Sequence, residues 1–337
     1  MKRIIVILLI SIINTVAVQA QQKNRPFQFK KPVKVVEHGK YGKISLYDAR
    51  EIKDNLGVIQ VGMLNANRLL VADPSLEKQL QNQLEQMTSG HKADGELLMR
   101  LEKFCMAELT GAFSEKGFLD FRAILFCKEA NGDYLQVARI DTSIVVKGMD
   151  VTKATLARAS EVVNNLIFDA LTKNGDTTKS YSFTEIENYD YIQKKQLALY
   201  NATDLKDGLY LTYDEFAHQT PSGGEAQLKD GDLYLGFFKE DEKGKLKKIK
   251  PKDYYAVVHT GHPFVSSQEQ FYALSKEDND FIFVGPVKET ASATNVVVAS
   301  VLLGAIGGAL VAGPETNYYT QKLDYANGSF IRLLNKQ

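Results

Sequence analysis

Apolar and polar residues alternate along Ile44–Arg50, the period of a strand with one buried face, and Val58–Val61 is a short second run. A helical period follows. Asp73 is placed to cap it, Pro74 suits its first position, Leu76, Leu80, Leu84 and Met87 form one stripe, and Gly90 ends it. Three strands are predicted next, over Glu96–Leu109, Phe118–Cys127 and Tyr134–Val146, with turn signals at Gly117 and Asn131-Gly132-Asp133. A second helix is predicted over residues 150–173. Its core face is Leu156, Ala159, Val163, Leu166, Ile167 and Ala170, and Asn174-Gly175 stops it.

Beyond residue 181 the rhythm changes. Short runs rich in Tyr, Phe and Gly recur over Gly208–Thr212, Asp232–Phe238, Tyr254–His259, Phe271–Leu274 and Phe281–Val284, with turn clusters between them. Asn327-Gly328 predicts a closing hairpin with strands near Tyr318–Tyr325 and Ser329–Leu334. Before that hairpin, Ala291–Gly313 carries no charge, and Ser300, Gly304, Gly308 and Ala312 recur every fourth residue. On a helix over 293–312 these four form a smooth stripe, the arrangement by which helices approach backbone to backbone. Its length, about 30 Å, matches a bilayer core. The alternative is a helix buried in a soluble fold. A phosphate loop at Gly304-Ala305-Ile306-Gly307-Gly308 lacks the required Lys-Ser/Thr.

The expected fold is therefore α+β. An N-terminal sheet with two helices on one face occupies 44–175, and a β-rich domain with an inserted glycine-rich helix occupies 181–337. The Leu46-Tyr47-Asp48-Ala49-Arg50 strand, the Leu98–Phe104 strand, the three-strand meander and the closing helix give residues 42–173 an order that resembles the YajG and ABC-transport-auxiliary lipoprotein group. That resemblance implies a part in envelope or lipid transport without catalysis, although the group's lipidated cysteine is missing here. The phrase Gly208–Phe216, with Pro221-Ser222 after it, resembles a class of uncharacterised exported bacterial proteins and implies no mechanism.

The first residues explain where such a chain would work. Lys2 and Arg3, the apolar run Ile4–Ile13 and Val18-Gln19-Ala20 form a secretory signal cleaved after Ala20. The run is too short for a membrane anchor, which needs ~20 apolar residues. Losing Lys2 and Arg3 takes the formal charge from zero to −2, which leaves no electrostatic footprint for nucleic acid. Residues 21–43 carry Lys23, Arg25, Lys30, Lys31, Lys34, Lys40 and Lys43 against one acid, Glu37. A solvated, mobile arm is expected there, and its charge also suits a contact with anionic headgroups. Cys105 and Cys127 are placed on the apolar parity of their strands. A tight turn near Ser114 sets them about four residues out of register, ~13 Å, so both are expected to be buried thiols.

Candidate chemistry is sparse. His259-Thr260-Gly261-His262 could share an ion, but no Cys or carboxylate has the spacing to complete a metal site. The lysine-rich run from Lys243 to Lys252 reads as a charge-protected edge strand, with Lys245, Lys247, Lys248 and Lys250 as the candidate contact for a phosphate or anionic glycan. No G-x-S-x-G elbow occurs, and neither cysteine has a base beside it in sequence. The expected protein is exported, to the periplasm or outer membrane or beyond. It is a non-enzymatic envelope accessory or scaffold without cofactor or metal. Its partners are envelope proteins, or a membrane or second copy engaged through 293–312. A soluble glycan- or lipid-binding protein is the alternative, and a hydrolase is a third, since carboxylates are plentiful.

Overall fold

A computed structural model describes residues 24–62, 66–91, 93–110, 114–173, 176, 178–228, 236–289 and 315–333. The signal segment and the stripe of Ser300, Gly304, Gly308 and Ala312 lie outside these residues.

The N-terminal half comprises β1 (Arg25–Phe27), β2 (Tyr41–Asp48), β3 (Gly57–Val61), β4 (Ala66–Ala72), α1 (Leu76–Met87), β5 (Gly95–Thr110), β6 (Glu115–Lys128), β7 (Tyr134–Gly148), α2 (Thr152–Thr172) and β8 (Ser180–Tyr181). They make one mixed sheet in the order β1-β4-β3-β5-β6-β7-β8. β5 is long enough to take two parallel partners on one edge, β2 along its first half and β3 along its second. The stripe Leu76, Leu80, Leu84 and Met87 and the α2 face Ala159, Val163, Leu166 and Ile167 pack on Leu97, Met99, Phe121 and Leu125 of the sheet. α1 begins after Ser75, two residues beyond the expected cap. Gln79 secures its start, accepting from Phe29 N–H at 2.9 Å and donating to the Phe27 carbonyl at 2.9 Å.

The α+β expectation is overturned. Among the described residues the chain is mostly β, with 44% in strands and 22% in helices. β5, β6 and β7 run 16, 14 and 15 residues, outlasting their apolar windows because a paired neighbour keeps satisfying the backbone. The later helices are a turn or two each: α3 (Phe183–Glu187), α4 (Tyr189–Lys194), α5 (Ala198–Asn201) and α6 (Tyr213–His218).

Three small sheets complete the described chain. One holds β10 (Gln227–Leu228), β11 (Phe237–Glu240) and β12 (Leu246–Lys248). The second orders β15 (Gln270–Ala273), β14 (His262–Ser267), β13 (Ala256–His259) and β9 (Gly208–Tyr210). The third orders β16 (Ser275–Glu277), β17 (Asp280–Glu289), β18 (Glu315–Leu323) and β19 (Phe330–Arg332).

The expected mobile arm is also corrected from Asn24 onward. β1 pairs in parallel with β4, Lys30 N–H donates to Ser160 Oγ at 3.0 Å, and Val36 N–H donates to the Met87 carbonyl at 2.7 Å. Phe27 and Phe29 pack against Phe104, so apolar anchors prevail over the run of like charge.

Candidate functional site

The site begins with one extra residue. Leu101 stands opposite Ala123 and Lys103 opposite Arg122, so Glu102 is a β-bulge. Before it Leu97, Met99 and Leu101 enter the helix-covered core, and after it Phe104 and Met106 do. The shift sends Lys103 and Cys105 to the other face, beside Asp120 and Arg122 of β6. Cys105 therefore does not lie on the apolar parity expected of it. It faces Asp120 while Cys127 faces Leu97, and both thiols are free and buried.

The turn between β18 and β19 docks on this charged face. Asp324, 3% exposed, accepts from Arg122 Nη1 and Nη2 at 2.9 and 2.8 Å and from Lys103 Nζ at 2.6 Å. Arg122 Nη2 also lies 2.8 Å from Asp141 Oδ2. Aromatic hydroxyls hold the turn from the opposite side: Tyr213 donates to the Tyr325 carbonyl at 2.5 Å and Tyr255 to the Gly328 carbonyl at 2.7 Å. Gly328 has φ +74°, and a Cβ there would run into the Tyr213 ring, so the position requires glycine.

A second tie lies nearby. Arg100 donates from Nε to the Ile186 carbonyl at 2.8 Å, from Nη2 to Asp190 at 2.9 Å, and from Nη1 to Glu102. Tyr325 donates to the same Asp190 oxygen at 3.1 Å. A cavity of about 170 Å³ opens beside these groups, lined by Arg50, Cys105, Lys194, Asp324, Tyr325 and Ile331 among others.

Burial opposes ionisation of Asp324, but the Lys103 and Arg122 charges overcome it and hold this carboxyl far below the usual range. Burial likewise works against the Arg122 cation, and the Asp324 and Asp141 carboxylates more than restore it. Glu102 and Asp120 are pushed up, chiefly by burial, against the pull of Arg100 and Lys103 respectively. Burial raises the Cys105 thiol well above its ordinary value, with the Asp120 charge adding to the effect.

The residues singled out from sequence lie elsewhere. His259 and His262 stand opposite each other at a two-residue turn whose Thr260 and Gly261 N–H groups both donate to Asp207, at 2.9 and 2.8 Å. Among the described residues no cluster of three His, Cys, Asp or Glu side chains could hold a metal ion. β12 is an edge of its described sheet. Lys247 on it pairs with Asp241 at 3.0 Å, and Lys245, just before it, donates its N–H to the same carboxylate. Lys247, Lys248 and Lys250 line a cleft of about 260 Å³ together with Glu240, Asp241 and Asp253, so acids share the space with the lysines.

Sequence reasoning missed the Asp324 junction. Two signals were present. The apolar parity of β5 changes at Glu102, and Asp120-Phe121-Arg122 places opposite charges inside an otherwise apolar strand.

No family model matches the chain, and no curated protein matches it. Two solved structures are similar. One, from Xanthomonas campestris and assigned to the DUF330 family, is 13% identical, covers 50% of this chain and 99% of its own, and has a TM-score of 0.28. The other is described as an uncharacterized protein; it is 8% identical, covers 42% of this chain and 93% of its own, and has a TM-score of 0.24. Neither description states an activity.

Proposed function

We propose that the chain is an exported, non-catalytic accessory or scaffold protein of the cell envelope that works through protein and membrane contacts. The observation that carries this reading is how the junction spends its charge. Arg122 and Lys103 are engaged by Asp324, and Arg100 by Asp190 and Glu102, a clamp rather than a nucleophile beside a base. The secretory pattern at residues 1–20 and the resemblance in element order to the YajG and ABC-transport-auxiliary group support the same reading. So does the uncharged 293–312 segment, whose stripe of Ser300, Gly304, Gly308 and Ala312 is the proposed face for self-association or membrane retention.

Fractionation of the native host tests this. The mature protein should begin at Gln21 and sediment with membranes or with a partner, and Gly308→Leu should weaken that association. A second reading, a soluble exported ligand-binding protein, is favoured by the cavity beside Asp324. It requires mature protein that is wholly soluble and without partners.

A further inference from the structure

We infer that the strap from Lys30 to Val35 is a docking surface for an anionic lipid membrane. The inference rests on the contact reading above and names a partner for a part of the chain that reading does not use. The strap is fixed at both ends. Phe27 is 1% exposed, Lys30 N–H donates to Ser160 Oγ, Asn164 Nδ2 donates to the Lys30 carbonyl at 3.2 Å, and Val36 N–H donates to Met87. Between these ties Pro32 restricts the backbone.

What the strap displays is unusual for a solvated loop. Val33 is 97% exposed and Val35 55%, on a segment that folds its phenylalanines inward. Exposed Lys30, Lys31 and Lys34 flank Val33 in sequence, and Val35 follows Lys34. Lys34 is steadied by Asn165 Oδ1 at 3.1 Å and by the Phe168 ring at 4.6 Å. Few acids oppose them. Glu37 follows the strap, and Glu161 on the adjoining α2 is paired with Arg158 at 2.6 Å. Small apolar tips beside exposed basic side chains match the boundary between headgroups and acyl chains, where apolar burial and attraction to anionic lipid add.

The test uses the mature full-length protein and vesicles of phosphatidylcholine alone or mixed with phosphatidylglycerol. Binding is expected only to the phosphatidylglycerol vesicles and should weaken as salt rises. Lys31→Gln should weaken it about fivefold, the loss of one basic residue at a charged surface. Val33→Asn should weaken it by a similar factor. Both side chains are exposed, so melting temperature should not change, and Val284→Asn, an exposed valine on β17, should bind like the parent.

Vesicle binding that ignores Val33 and Lys31 overturns the strap and leaves the membrane reading standing. Binding lost on Val284→Asn instead also overturns it. Retention on poly-glutamate without vesicle binding would mean an acidic protein surface and sinks the lipid assignment. Absence of binding to vesicles and to any envelope fraction overturns this inference and the contact reading together.

Discussion

The helix-covered sheet and the three small sheets fill their cores differently. In the first, β5 and β6 are long, and Leu, Met and Phe from alternate positions meet the apolar stripes of α1 and α2. In the second, β17 and β18 run ten and nine residues but β9, β13, β14 and β15 only three to six, and rings carry more of the packing. Tyr210 meets Phe216 at 5.2 Å, Phe237 meets Phe264 at 5.0 Å, and Phe283 meets Phe330 at 4.9 Å, all edge to face. Short strands leave more connecting backbone to satisfy, and tyrosine does both tasks. Tyr210, Tyr213 and Tyr255 bury their rings and donate their hydroxyls to the carbonyls of Lys206, Tyr325 and Gly328. The first core, which also holds the rings of Phe27, Phe104 and Phe121, is closed by long strands and two helices. The second core depends on its loops, and here one loop is bolted to the other sheet through Asp324.

The largest loss comes from hollowing the helix-covered core. Phe121→Ala removes a ring that is 1% exposed and should cost about 3–5 kcal/mol, read by urea denaturation with all probes moving together. An early, separate loss of the N-terminal sheet alone would break the comparison.

Asp324→Ala should cost about 3 kcal/mol, toward the lower end for a broken buried pair because Arg122 keeps Asp141. The small sheets should then melt first. In the same variant Cys105 should become open to alkylation under native conditions while Cys127 stays protected, since only Cys105 faces the junction. Equal labelling of the two thiols would show that the turn does not cover that face.

Acid sharpens the same point. The Asp324 carboxyl is held far down in the fold, so its contribution is complete above the unfolded carboxyl value of about 4 and fades as pH falls below it. Glu102 and Asp120 are pushed up by burial, so their contribution has the opposite sign and is lost as pH rises through their folded values. The gap in melting temperature between parent and Asp324→Asn should be wide near neutrality and close in acid. A gap independent of pH would remove the carboxylate from the account.

The smallest effect tests the tyrosine ties. Tyr213→Phe keeps the ring and removes one bond to the Tyr325 carbonyl, for a loss of about 1 kcal/mol, confined to the small sheets in a thermal melt followed by tyrosine absorbance.

Much of this architecture was legible locally. The stripe Leu76, Leu80, Leu84 and Met87, the long α2 face and the order of the meander strands follow from periods of 3.6 and 2. β1 and β4 were not legible, because their short, mixed runs become strands only where a neighbour supplies hydrogen bonds. The three helices between Phe183 and Asn201 were not legible, because each is only a turn or two long and precedes the first run read as strand beyond residue 181, Gly208–Thr212. The junction was half visible, since a bulge can be read from a parity change but not the partner that meets the face it creates.

By itself, then, the sequence determined which segments could be helices or strands and which side of each was apolar, since those properties depend on residues a few positions apart. The tertiary structure decided the rest. Two parallel partners share one edge of β5 because that strand is long enough to hold both. Arg122 meets Asp324 across 202 positions of sequence. A buried cation needs an anion, and only the folded chain determines which one comes near enough to pair with it.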